Sequence, residues 1–136
     1  MQQPKIVISS LDAERLESLL DSLPDDAFPG REDLESELAR AEIVDPKDVP
    51  PNVVTMNSTV RFRMESSSEE FLMTLVYPRN VNPDGGTISI LAPVGSALLG
   101  LSKGDAIEWP KPGGGMLRVR IEEITYQPER SGEYRR

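Results

Sequence analysis

The sequence predicts an α+β protein: a short antiparallel helical hairpin at the amino terminus, then an antiparallel β domain with one short helix. Three observations lead there. Leucines recur at three- and four-residue spacing from Leu16 to Leu38, on both sides of a turn rich in Asp, Pro and Gly. From Val53 onward the apolar period shortens to two, as half-buried strands require. Between these regions Asp45–Asn52 carries three prolines in eight residues, which fits neither a helix nor a central strand. The boundaries that follow are an acidic hairpin at 1–45, a Pro-rich linker at 46–52 and a β domain at 53–136.

In chain order, Lys5–Ser9 is a β-branched run suited to a strand or an ordered lead-in. Ser10 offers an N-cap, and Asp12 and Glu14 fall in the first turn, where the helix dipole favours anions. Leu16, Leu19, Leu20 and Leu23 form one stripe, and Pro24 stops the helix. Asp25 and Asp26 open the turn that ends at Gly30. A second helix is predicted from about Arg31 to Val44, with Leu34, Leu38 and Ala41 as its stripe. Two short helices joined by so short a turn pair antiparallel.

In the β domain, Val60, Phe62 and Met64 alternate with polar residues, and Phe71–Tyr77 makes the antiparallel partner. Ile88–Leu91 reads as a further strand. Pro93 then suits the first turn of a helix, because its missing N–H would be unpaired there. Gly100 and Gly104 keep that helix short, and Leu98, Leu99 and Leu101 face the core. A strand through Trp109 and the turn Pro112–Gly115 lead to a last strand ending at Tyr126. Leu117, Val119, Ile121 and Ile124 point inward there, with Arg118 and Arg120 outward. The tail after Gln127 is polar and expected to fray.

Composition narrows the chemistry. With no cysteine and no histidine, the chain has no disulfide, no Cys or His nucleophile or base, and no Cys/His zinc site. No cofactor and no metal are expected. No apolar run approaches the ~20 residues of a membrane span. The amino terminus lacks a signal-peptide pattern, so the cytoplasm is expected. The net charge of −8 falls entirely in residues 1–45, where four basic residues meet twelve acids, while residues 46–136 hold eleven of each. An acidic front half repels phosphate, so a basic protein surface suits it better than nucleic acid. Arg61, Arg63, Arg118 and Arg120 alternate outward without interleaved aromatics, which makes a poor RNA platform. Pro112–Gly115 is followed by neither Gly-Lys-Ser/Thr nor a helix, so it is a turn and not a phosphate loop.

The order Ile88–Leu91, Ala92-Pro93, Gly95–Gly100, Gly104-Asp105, Trp109, Pro112–Gly115, Ile121–Tyr126 resembles the carboxy-terminal domain of the Gre transcript-cleavage factors. Met56-Asn57-Ser58, Leu75–Pro78 and Ala92–Gly100 look like a short-hairpin branch of that family. The resemblance implies an FKBP-like fold and binding to RNA polymerase at the rim of its secondary channel. It places the polymerase contact at Leu91, Ala92 and Pro93, although Leu91 and Ala92 replace the Asp and Ser usual in the family. It also makes Asp25 and Asp26 the counterparts of the acidic coiled-coil tip. A first helix of about 13 residues reaches roughly 20 Å at ~1.5 Å per residue, far less than a Gre coiled coil. The expectation is therefore a monomeric, non-catalytic regulator that competes with Gre factors without stimulating transcript cleavage. An influence on nucleoside diphosphate kinase levels is implied as well. Two alternatives stand beside it: an FKBP-like prolyl isomerase, which would need a deep aromatic pocket, and a direct protein partner of nucleoside diphosphate kinase.

Overall fold

Ser9, not Ser10, caps the first helix. In the computed structural model, which describes residues 6–24, 31–64, 69–82, 85–110, 115–128 and 130, the Ser9 hydroxyl accepts the Asp12 N–H at 3.0 Å. It thereby satisfies one of the donors that a first helical turn leaves open. Helix α1 (Ser10–Asp21) buries Leu16 and Leu20, and α2 (Arg31–Arg40) buries Leu34. Leu19, Leu38 and Ala41 pack at partial depth against the same cluster.

The second helix ends at Arg40, short of the expected Val44. Glu42–Val44 is instead a strand, β2, in parallel register with β1 (Val7–Ser9), so that Ile8 faces Ile43. The Glu42 N–H donates to the Ile6 carbonyl at 3.0 Å. Ile43 and Val44 are β-branched and stiff at χ1, so a strand partner outcompetes another helical turn. Asp45–Asn52 holds neither α-helix nor strand, as its prolines require. Pro46–Asp48 forms one 3₁₀ turn, with proline at a start position that needs no donor. The segment is fastened along its length. Val49 is buried, and the fully buried Gln127 donates from Nε2 to the carbonyls of Pro50 (2.8 Å) and Val53 (2.7 Å). Arg130 donates to the Pro51 carbonyl at 3.2 Å.

The main sheet comprises β3 (Thr59–Met64), β4 (Glu69–Val76), β5 (Thr87–Ser89), β6 (Ala106–Pro110) and β7 (Met116–Tyr126), in the order β5-β4-β3-β7-β6. It is not antiparallel throughout. β5 runs parallel to β4, with Thr74 opposite Thr87 and Val76 opposite Ser89. The connection after β4 first makes a 3₁₀ turn at Pro78–Asn80. It is long enough to return the chain to the starting edge. Ile90 and Leu91 lie in the turn beyond β5, not in the strand, and lead into α3 (Pro93–Leu98).

Two register shifts between β3 and β7 leave Glu122 and Thr125 as extra residues: Arg61 faces Glu123 but Phe62 faces Ile121, and Val60 faces Ile124 but Thr59 faces Tyr126. Such bulges increase local twist and curl the strand. They also let Ile121 and Ile124, three residues apart, both point inward. The Leu117 side chain and residues 111–114 lie outside the described residues, as do 65–68 and 131–136. One cluster of buried side chains runs from Ile6, Ile8, Leu16 and Leu34 through Met56 and Phe62 to Leu98, Trp109 and Val119. Phe62 stacks on Phe71 with ring centroids 5.5 Å apart.

Candidate functional site

The amino-terminal helices meet the sheet along a seam built from few, specific contacts. Asp12 is 4% exposed, and its carboxylate accepts the Met56 N–H at 3.1 Å. The Val7 N–H reaches the Gly100 carbonyl at 3.3 Å. Gly100 takes φ +82°, and a Cβ there would lie 2.7 Å from the Ile6 Cβ, so both conformation and crowding demand glycine. Asn57 adopts φ +68°, a left-handed turn that Asn tolerates better than most residues. Its N–H donates to the Leu75 carbonyl at 2.6 Å.

Beside this seam an open cleft of about 1060 Å³ separates α1 from Asn57 and the Tyr77–Asn80 turn. Arg15 and Arg79 bring positive charge to it, and Glu14, Glu17 and Asp21 bring negative charge. Tyr77 is the one aromatic residue among its described walls. The ring is buried, with the Arg15 guanidinium near its hydroxyl. Burial pushes the phenol pKa up, the Asp12 charge adds to the rise, and Arg15 and Arg79 oppose it. A folded-state value above the unfolded one means that this contribution is complete below pH ~10 and is lost as pH climbs past it, by up to about 1.4 kcal/mol per pH unit. Tyr77→Phe is expected to flatten the alkaline limb of a stability–pH curve from urea melts between pH 9 and 11.5. An unchanged limb would show that Tyr77 titrates as it does in the unfolded chain.

Arg31, the first residue of α2, spans the ends of both helices. Its guanidinium donates to the carbonyls of Leu20 (2.7 Å), Leu23 (3.1 Å) and Pro24 (2.9 Å). These carbonyls lie at and just beyond the end of α1; that of Leu20 also accepts the Leu23 N–H at 3.2 Å, and a cation there complements the dipole. Nothing local in the sequence marks Arg31 for this, nor Asp12 for its bond to a residue 44 positions away.

Leu91 and Ala92 lie in the turn between β5 and α3 and Pro93 opens the helix, each half-buried. The Ser89 hydroxyl accepts the Leu91 N–H at 3.0 Å, and Ser96 donates its hydroxyl to the Ile90 carbonyl at 2.6 Å. The turn is therefore pinned from both sides. Gly95 permits it, because a Cβ there would overlap the Ser89 carbonyl oxygen. Asp25 and Asp26 lie outside the described residues, so their relation to this turn is not part of the geometry.

The outward arginines do not make a basic face. Arg61 lies 3.8 Å from Glu70 and 3.6 Å from Glu123; Arg63 lies 3.4 Å from each of Glu70 and Glu122; Arg118 lies 3.5 Å from Glu108. Neutralised in this way, the sheet offers little field to a phosphate backbone. Among the described residues no three acidic side chains gather to hold a metal ion, and no helix is long and apolar enough to cross a membrane.

Residues 49–126 match the family described as transcription elongation factor GreA/GreB, C-term, and residues 4–44 match the Rnk N-terminus. The regulator of nucleoside diphosphate kinase of Escherichia coli K12 is 44% identical over 134 residues, covering 98% of both chains. Transcription elongation factor GreA of Helicobacter hepaticus is 38% identical over 94 residues, 66% of this chain and 58% of its own length. A solved GreA/GreB-type elongation factor from Nitrosomonas europaea superposes with a TM-score of 0.72 at 73% identity, covering 91% of this chain and all of that one. The α+β fold is thus of the GreA/GreB carboxy-terminal type, and the chain belongs to the family of regulators of nucleoside diphosphate kinase, in which an Rnk-type amino terminus precedes that domain.

Proposed function

We propose that this protein is a cytoplasmic, monomeric, non-catalytic regulator that binds RNA polymerase at the rim of the secondary channel and competes there with Gre factors. The match of residues 49–126 to the GreA/GreB carboxy-terminal domain carries the reading. In it, residues 53–136 form an FKBP-like docking domain that grips polymerase through Leu91, Ala92 and Pro93. Residues 1–45 form an antiparallel acidic prong tipped by Asp25 and Asp26, and 46–52 connect the two. Helix α1 has 12 residues, which at ~1.5 Å per residue spans roughly 18 Å. Such a prong stops short of the polymerase metal centre, so transcript cleavage is not stimulated. An influence on nucleoside diphosphate kinase then follows from transcription and needs no contact with that enzyme.

The test is displacement of a labelled Gre factor from core RNA polymerase, with cleavage of a stalled transcript read in parallel. Displacement without cleavage is expected. Cleavage would show that the tip reaches the metal, and absence of displacement would leave a shared fold without a shared partner. Pro93→Asp is expected to abolish displacement with little change in melting temperature, because an acid is tolerated in the first turn of a helix. Undiminished displacement by that variant would move the contact elsewhere.

A further inference from the structure

Adjoining the large cleft, with which it shares Glu14 and Glu17, lies a smaller depression of about 340 Å³, lined by Ser10, Ala13, Glu14, Glu17, Leu38 and Ile43. Its floor is apolar. Ala13 and Leu38 are partly buried, and Ile43, on β2, is 47% exposed. Its rim is acidic. Glu14 and Glu17 sit three residues apart on one helical stripe, both exposed, and neither makes an ion pair or hydrogen bond among the described residues. Every described arginine pair on the sheet face shows the opposite habit, with acid and base matched across strands.

We propose that this notch is a docking point for a basic protein segment bearing one aliphatic side chain. The aliphatic group would cover Ile43 and Leu38, and flanking lysine or arginine residues would meet Glu14 and Glu17. Charge complementarity selects this occupant: an apolar hollow alone accepts any hydrophobe, but unneutralised carboxylates at its edge favour cationic partners and repel nucleic acid. Ile43 supplies the anchor contact and the glutamates supply register and association rate. The surface is distinct from the Leu91–Pro93 turn, so the proposal holds or fails separately from polymerase competition.

The experiment titrates the full chain with a synthetic peptide carrying one leucine between two pairs of arginines, followed by amide NMR and calorimetry. Its leucine-to-serine counterpart is titrated alongside. Expected are shifts centred on Ala13, Glu14, Glu17, Leu38 and Ile43, and affinity about tenfold weaker for the serine peptide, for Ile43→Ser and for the Glu14→Gln/Glu17→Gln double variant. All three positions are exposed, so thermal melts should show the variants folded. Equal affinity for the two peptides, or shifts spread over the α2 acids, would reduce the surface to unspecific charge and overturn the proposal. So would no binding. A concentration-dependent dimer abolished by Ile43→Ser in sedimentation would also overturn it, by making a second copy of this chain the occupant.

Discussion

Gly95→Ala is expected to destabilise the protein by about 3 kcal/mol, the range of overpacking in a site that cannot relax. The added methyl would overlap the Ser89 carbonyl oxygen, a backbone atom at the end of β5, and so has no flexible side chain to push aside. Relief requires α3 to move off the sheet. That would break the Ser96–Ile90 bond and disturb buried Ala97 and Leu98. A loss of this size corresponds to a fall in melting temperature of roughly 10 °C for a chain of this length. Gly104 is the control. Unlike Gly95 it has positive φ (+88°), but nothing lies within 4 Å of its missing Cβ, so alanine there brings only conformational strain of about 1–2 kcal/mol. Equal losses at the two sites in urea melts would show that α3 does not press on the sheet as closely as this geometry requires.

Asp12→Ala is the second large effect, expected at about 2–3 kcal/mol. The Met56 N–H would lose its acceptor, and a buried unpaired donor retains its full desolvation cost. The same change removes an acid from the first turn of α1. Asp12→Asn keeps an oxygen acceptor and should lose less than half as much. Hydrogen exchange separates the cause from general destabilisation: the Met56 amide should gain exchange rate in Asp12→Ala more than amides in β3 do. A uniform acceleration would assign Asp12 to overall stability and not to the seam.

Much of this architecture is legible in the residues, and the exceptions share a physical cause. Alternation put Val60 and Phe62 in the core, and Pro93 and Gly100 bracketed α3, because those signals are local. The end of α2 was not legible. No breaker stands between Arg40 and Asp45, and the strand at Glu42–Val44 forms only because Val7–Ser9 lies beside it. The parallel direction of β5 was equally hidden, since strand chemistry does not encode which way a neighbour runs. Asp12 reads in sequence as an ordinary acid at a helix start and gains its weight from Met56. Alternation shows that Arg61 and Arg63 point outward but not their partners, the glutamates that the opposing strand supplies at register positions determined by two bulges. Of the candidate sites, the Leu91–Pro93 turn came through family resemblance, and the cleft and notch beside α1 came only from the packed structure.

The side-by-side pairing of β1 with β2 has a consequence for how such proteins diversify. Val7–Ser9 and Glu42–Val44 lie in register, so the chain departs for its helices and comes back at the same ledge. Turns added at the far ends of α1 and α2 lengthen the projection by about 10 Å per seven residues and leave both feet where they are. Reach then becomes an adjustable dimension, separate from attachment. The ledge and the helix ends are thus independent places for change, since insertions at the helix ends leave the β1–β2 register intact.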